Sequence, residues 1–174
     1  MTAATMAPDG AVRRNDCMSA TTPAFSQGDI VLFYQPKGHF KLVTLFTRSP
    51  YYHVAIAVDE RYIVEAMPRG VVRTAIESKR GRRWVVIDPP DKKVAERAVA
   101  WAIKRIGDGY DPWDLISLGL DRLFAHLHVN FTSRGRYTCS EFVAAAFKAA
   151  GKPLLKDLEP EDTLPSDFAR LLPS

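Results

Sequence analysis

Apolar runs of strand length crowd the first half of this chain and helical periods crowd the second, and that segregation constrains the fold more than any other feature. Parallel strands require a crossover, usually a helix, between successive members, so a parallel sheet would alternate the two element types. Here residues 30–34, 52–58, 62–67, 71–76 and 83–88 read as strands, with one short helical stretch, 39–47, among them. Asp59-Glu60-Arg61, Pro68-Arg69-Gly70 and Lys79-Arg80-Gly81-Arg82 are the turns, and Gly28-Asp29 turns the chain into the first strand. Helical spacing follows at 92–106, where Val94, Ala95, Ala98, Val99, Ala102, Ile103 and Ile106 recur at three and four before Gly107. A second helix is predicted over 112–126, opening on Pro112, a third from Cys139 toward Gly151, and a last short one from Leu164-Pro165-Ser166-Asp167. The expected class is α+β: an antiparallel sheet of about five strands packed with helices, one domain over 26–174. Residues 1–25 carry no apolar period and read as a disordered extension.

Composition narrows the function classes. Hydrophobic residues make up 47% of the 174 and charged residues 25%, the profile of a globular domain that closes its own core. No run of 18 or more uncharged apolar residues suggests a membrane span, and Arg13-Arg14 are followed by no apolar h-region, so no secretory leader is expected and a cytoplasmic location is the default. Cys17 and Cys139 stand far apart, with no second Cys or His at ligand spacing from either, so neither a disulfide framework nor a zinc site is expected. No cofactor is implied. The net charge of +4 favours anionic partners, an anionic membrane surface included, without naming one. The basic run Lys79-Arg80-Gly81-Arg82-Arg83 reads as a solvated hairpin tip. Only Trp84 lies near it, whereas nucleic-acid binding would interleave aromatic residues, so no nucleic-acid partner is expected.

Tyr137-Thr138-Cys139-Ser140-Glu141-Phe142-Val143 has the form of a helix start: Thr138 at the N-cap and Glu141 three residues on make a capping box, which puts Cys139 first in the helix. The orphan N–H groups and positive dipole end there favour thiolate, the nucleophilic form. A packing role is the alternative, because Cys139 shares a helical face with Phe142, Val143, Ala146 and Ala150. A cysteine nucleophile needs a base, usually histidine. His39, His126 and His128 fall in or beside loops and helix ends, where a solvated ring is the ordinary case. His53 instead opens an apolar strand, on the side of Ala55 and Ala57. If residues 59–61 form a three-residue turn, Val58 pairs with Tyr62, and His53 and Glu65 become diagonal neighbours on one sheet face, close enough for a carboxylate to orient the ring. A two-residue turn would put them on opposite faces.

Gly28-Asp29 before a strand, Tyr52-His53-Val54-Ala55-Ile56, Val64-Glu65-Ala66 and Tyr137–Val143, in that order, resemble the circularly permuted NlpC-like papain-fold cysteine hydrolases, the branch with the YiiX and YaeF type proteins, related to the lecithin retinol acyltransferase-like group. The resemblance covers residues 27–172, and Leu164-Pro165-Ser166-Asp167-Phe168 matches the closing segment. Ala55 and Ala57 depart from it, standing where glycine is often found after the histidine. The resemblance implies a papain-like fold with Cys139 as nucleophile, His53 as general base and acid, and Glu65 orienting His53. It implies hydrolysis of amide bonds through a thioester, with peptides of peptidoglycan type as the expected substrate class. Lipid acyl transfer or thioester cleavage in the same fold, and a non-catalytic binding module, are the alternatives. The oxyanion is assigned to backbone N–H groups at the start of the Cys139 helix, Ser140 included, with Tyr110 as a candidate second donor.

Overall fold

The structure, a computed structural model, describes residues 13–15, 25–35, 48–110 and 136–172. In chain order the elements are β1 (Arg13–Asn15), β2 (Ile30–Tyr34), β3 (Tyr51–Ala57), β4 (Tyr62–Met67), β5 (Gly70–Ala75), β6 (Arg83–Ile87), α1 (Lys92–Ile103), β7 (Gly109–Tyr110), β8 (Arg136–Tyr137) and α2 (Cys139–Ala149). Short 3₁₀ turns cover Ile76–Lys79, Pro160–Asp162 and Pro165–Leu171. The class is α+β. Strands β1 to β6 form one antiparallel sheet in the order β1-β6-β2-β3-β4-β5, while β7 and β8 make a separate two-stranded parallel pair.

Both faces of the sheet are covered, which explains why its strands read as continuous apolar runs. Ile30, Leu32, Val54, Ile56, Val64 and Val85 pack on one face against Ala98, Val99 and Ala102 of α1 and Phe142, Ala146 and Phe147 of α2. Their sequence neighbours Val31, Phe33, Ala55, Ala57, Ile63, Trp84 and Val86 close a second cluster on the other face with Phe25 and Ile76. The expected extension through residue 25 is corrected at two places. Arg13–Asn15 pair with Trp84 to Val86, and Phe25 is buried against Trp84 with ring centroids 6.2 Å apart. Without β1, strand β6 would present an open edge of unpaired backbone groups.

Gly28 and Asp29 join the sheet to α1. Gly28 has φ +85°, its N–H donates to the Ala57 carbonyl at 2.8 Å, and a Cβ there would stand 2.4 Å from the Ala95 Cβ. Asp29 is buried, and its Oδ2 accepts the Ser26 N–H at 2.7 Å. Helix α1 stops at Ile103 rather than running to 106, because Gly107 and Asp108 bond to β5 instead: the Gly107 N–H donates to Val71 O at 2.9 Å and the Val71 N–H to Asp108 O at 2.8 Å. Ile103 and Ile106 are left exposed. The helices expected at 39–47 and 112–126, and Cys17, lie outside the described residues. Among the described residues, no helix is long and apolar enough to cross a membrane.

Candidate active site

Helix α2 begins as its sequence requires. Thr138 Oγ1 accepts the Glu141 N–H at 3.2 Å and the Glu141 carboxylate accepts the Thr138 N–H at 3.2 Å, so both halves of the capping box form and Cys139 is the first helical residue. The Ser140 hydroxyl donates to the Thr163 carbonyl at 2.7 Å, which ties the helix start to the C-terminal turns. That hydroxyl is therefore committed to structure, and what Ser140 retains for an oxyanion is its backbone N–H. Tyr110 lies in β7 and pairs with Tyr137, bringing its backbone to the residue two before Cys139; its side chain lies outside the described residues.

His53 is placed by an irregularity in β3. Phe33 pairs with His53 but Tyr34 pairs with Tyr51, so Tyr52 is an extra residue in the strand. Tyr51 and Val54 consequently turn toward the helices, while Tyr52 and His53 both turn to the opposite face. The His53 ring packs 5.4 Å, centroid to centroid, from Phe33. Strands β3 and β4 pair at Ile56–Val64 and Ala57–Ile63, and the Val58 N–H donates to Tyr62 O at 2.8 Å, the register of the three-residue turn. Asp59 holds that turn by accepting the Arg61 and Tyr62 N–H groups on Oδ1 at 2.8 and 2.9 Å.

That register brings His53 Nε2 to 2.7 Å from Glu65 Oε2. Glu65 is 1% exposed and His53 6%. Cys139, itself 2% exposed, is near enough for its charge and a side-chain hydrogen bond to act on the imidazole; with Nε2 on Glu65, Nδ1 is the other ring nitrogen. Burial presses the imidazole toward its neutral form, but the charge and hydrogen bond of Cys139, then those of Glu65, outweigh it and raise the His53 pKa to about 9. Burial likewise opposes ionisation of Glu65, yet its bonds to His53 and Lys79 bring it down to about 2. At neutral pH the ring is an imidazolium bonded to the ionised Glu65 carboxylate.

Lys79 was not legible as part of this group. It reads as the first residue of a solvated basic run, yet its Nζ lies 2.6 Å from Glu65 Oε1 and 2.9 Å from Oε2. The available signal was Ile76: in a 3₁₀ turn residues three apart eclipse, so a buried Ile76 carries Lys79 inward with it. Beside His53 a cavity of about 160 Å³ is walled by Phe33, Tyr52, Met67, Lys79 and Arg82, with Arg82 hydrogen-bonded to the Tyr52 phenol. Among the described residues, no group of three or more His, Cys, Asp or Glu side chains has the arrangement of a metal site. His39, His126 and His128 lie outside the described residues. No protein-family model matches the chain, and no curated protein matches it significantly.

Proposed function

We propose that this protein is a cysteine hydrolase of the permuted NlpC-like, papain-like type, acting on amide bonds of peptides through Cys139, His53 and Glu65. The observation that carries the reading is the buried line Glu65–His53–Cys139, with the cysteine at a capped helix N-terminus and the imidazole held at about 9. A histidine buried only for packing would be neutral and would bond to backbone. Here both ring nitrogens face acidic side chains.

In the proposed cycle the Cys139 thiolate attacks the scissile carbonyl carbon. The oxyanion forms against the Cys139 and Ser140 N–H groups, which precede the first intrahelical donor, Phe142 N–H to Thr138 O. Collapse breaks the C–N bond, and the imidazolium of His53 passes its proton to the departing amine, leaving a thioester on Cys139. Neutral His53 then takes a proton from water, whose oxygen displaces the sulfur and releases the carboxylic acid. Glu65 keeps the Nε2–H bonded throughout, so Nδ1 is the nitrogen that exchanges the proton.

The test is alkylation by iodoacetamide at about pH 6, where an ordinary thiol is less than about 1% thiolate. Peptide mass analysis should find Cys139 modified at least about tenfold faster than Cys17, and His53→Ala should abolish the difference. A Cys139 no faster than Cys17, or indifferent to His53, would leave a binding module. A panel of peptide amides and acyl esters then separates hydrolysis of peptides from transfer of lipid acyl groups.

A further inference from the structure

The basic turn between β5 and β6 has no part in the cycle above, yet its first residue touches it. We propose that Lys79 is a positioning residue: its ammonium grips both carboxylate oxygens of Glu65 and keeps that side chain aimed at His53 while the imidazole gains and loses its proton. This rests on the reading of Cys139, His53 and Glu65 as a working triad.

Glu65 is almost fully buried, and a buried carboxylate stays ionised only with charged or donating partners. Among the described residues it has two such partners. His53 supplies one only while it is an imidazolium, and that charge vanishes when the proton goes to the leaving group. Lys79 supplies the other, at 2.6 and 2.9 Å, through every stage. Among the described residues, those facing Glu65 are His53 and, further off, Tyr52 from β3, Lys79 from the Ile76–Lys79 turn, and the apolar Val72 opposite it on β5. Arg82 reaches Tyr52 rather than the carboxylate, and Cys139 approaches from the far side of the imidazole. Lys79 is itself held: its side chain is 16% exposed, its Nζ lies 5.9 Å from the Phe33 ring centroid, and the buried Ile76 anchors its turn.

The consequence is chemical. If Glu65 took up a proton when His53 became neutral, it would donate to Nε2 instead of accepting from it. The ring would then carry its hydrogen on Nδ1, the nitrogen that must accept a proton from water, and deacylation would stall.

The experiment follows the ¹³C shift of the Glu65 carboxyl by NMR against pH in the wild type, Lys79→Met and Lys79→Arg, with iodoacetamide alkylation of Cys139 over the same range. In the wild type Glu65 stays ionised down to about pH 3; in Lys79→Met the midpoint rises by about one pH unit or more, and the acid limb of alkylation rises with it. Lys79→Arg restores both, since a guanidinium also binds a carboxylate through two N–H groups. Superimposable Glu65 titrations in the wild type and Lys79→Met overturn the proposal, as does an Arg variant that folds but titrates like the Met variant. Should the Met variant fail to fold, Lys79→Gln takes its place under the same criteria. If wild-type Cys139 alkylates like a free thiol, the triad reading fails, whereas the Glu65 midpoint still judges Lys79.

Discussion

The carboxylate of Glu65 lies between His53 and Lys79, and its environment dictates how the molecule responds to acid. Its folded pKa, about 2, lies below the 4.5 of an unperturbed glutamate. The unfolded chain therefore binds the proton first as pH falls: the stabilisation is complete above about 4.5 and is lost as pH drops through the folded value. That difference corresponds to about 3 kcal/mol. Glu65→Gln should lower the midpoint of urea unfolding at pH 6 and flatten its acid dependence between about pH 4.5 and 2.5, and an unchanged acid slope would contradict the assignment. His53 runs the other way. Its value near 9 keeps the imidazole charged across neutrality, so in the proposed cycle hydrolysis should fall as pH rises through about 9. In Glu65→Gln the charge that helps raise His53 disappears while the amide oxygen still accepts from Nε2–H, and the alkaline limb should move to lower pH. His53 and Glu65 were legible because a turn of three residues and a period of two fix which side chains share a face. Lys79 was not, because a run of five residues with four cations has no internal mark distinguishing the one that folds back.

At the scale of elements, the helix that presents Cys139 and the turn that anchors the sheet are the sensitive joints. Thr138→Ala removes the acceptor of the Glu141 N–H and should cost about 1 kcal/mol in urea unfolding, with slower Cys139 alkylation as the first turn frays. Gly28→Ala meets two obstacles at once, a positive φ and a Cβ overlapping that of Ala95, and should cost about 3 kcal/mol. Ala95→Gly would not relieve the clash, because the Ala95 Cα would still stand 2.8 Å from the added Cβ. A Gly28→Ala variant that unfolds in urea at the wild-type midpoint would show that neither obstacle counts. The strands and the start of α2 could be read because their signals are local: β-branched and aromatic runs between turn residues, and a cap paired with a glutamate. The end of α1 could not. Its apolar spacing continues to Ile106, and what stops it is a pair of backbone bonds to Val71, more than thirty residues earlier. The final segment winds as a 3₁₀ helix, with Asp167 accepting the Leu164 N–H at 2.8 Å, where the sequence offered only a helix start.

Across the whole molecule, β2 to β5 pair with their sequence neighbours, but β6 leaves β5 and returns to lie between β2 and β1. Turn chemistry predicts hairpins but carries no information on such a return, so the antiparallel class was legible and the strand order was not. The C-terminal turns belong to the same cooperative unit. Phe168 is fully buried against the helix-facing side of the sheet, and Thr163 receives the Ser140 hydroxyl. Phe168→Ala should cost about 3–5 kcal/mol with the urea m-value unchanged, as expected when one core is thinned rather than one region detached. A fall in m would mark the segment as a separate unit. The extra residue at Tyr52 has a wider effect. By absorbing one residue of phase it works as an expansion joint, so Tyr34 and Tyr51 stay in step while His53 stays locked opposite Phe33.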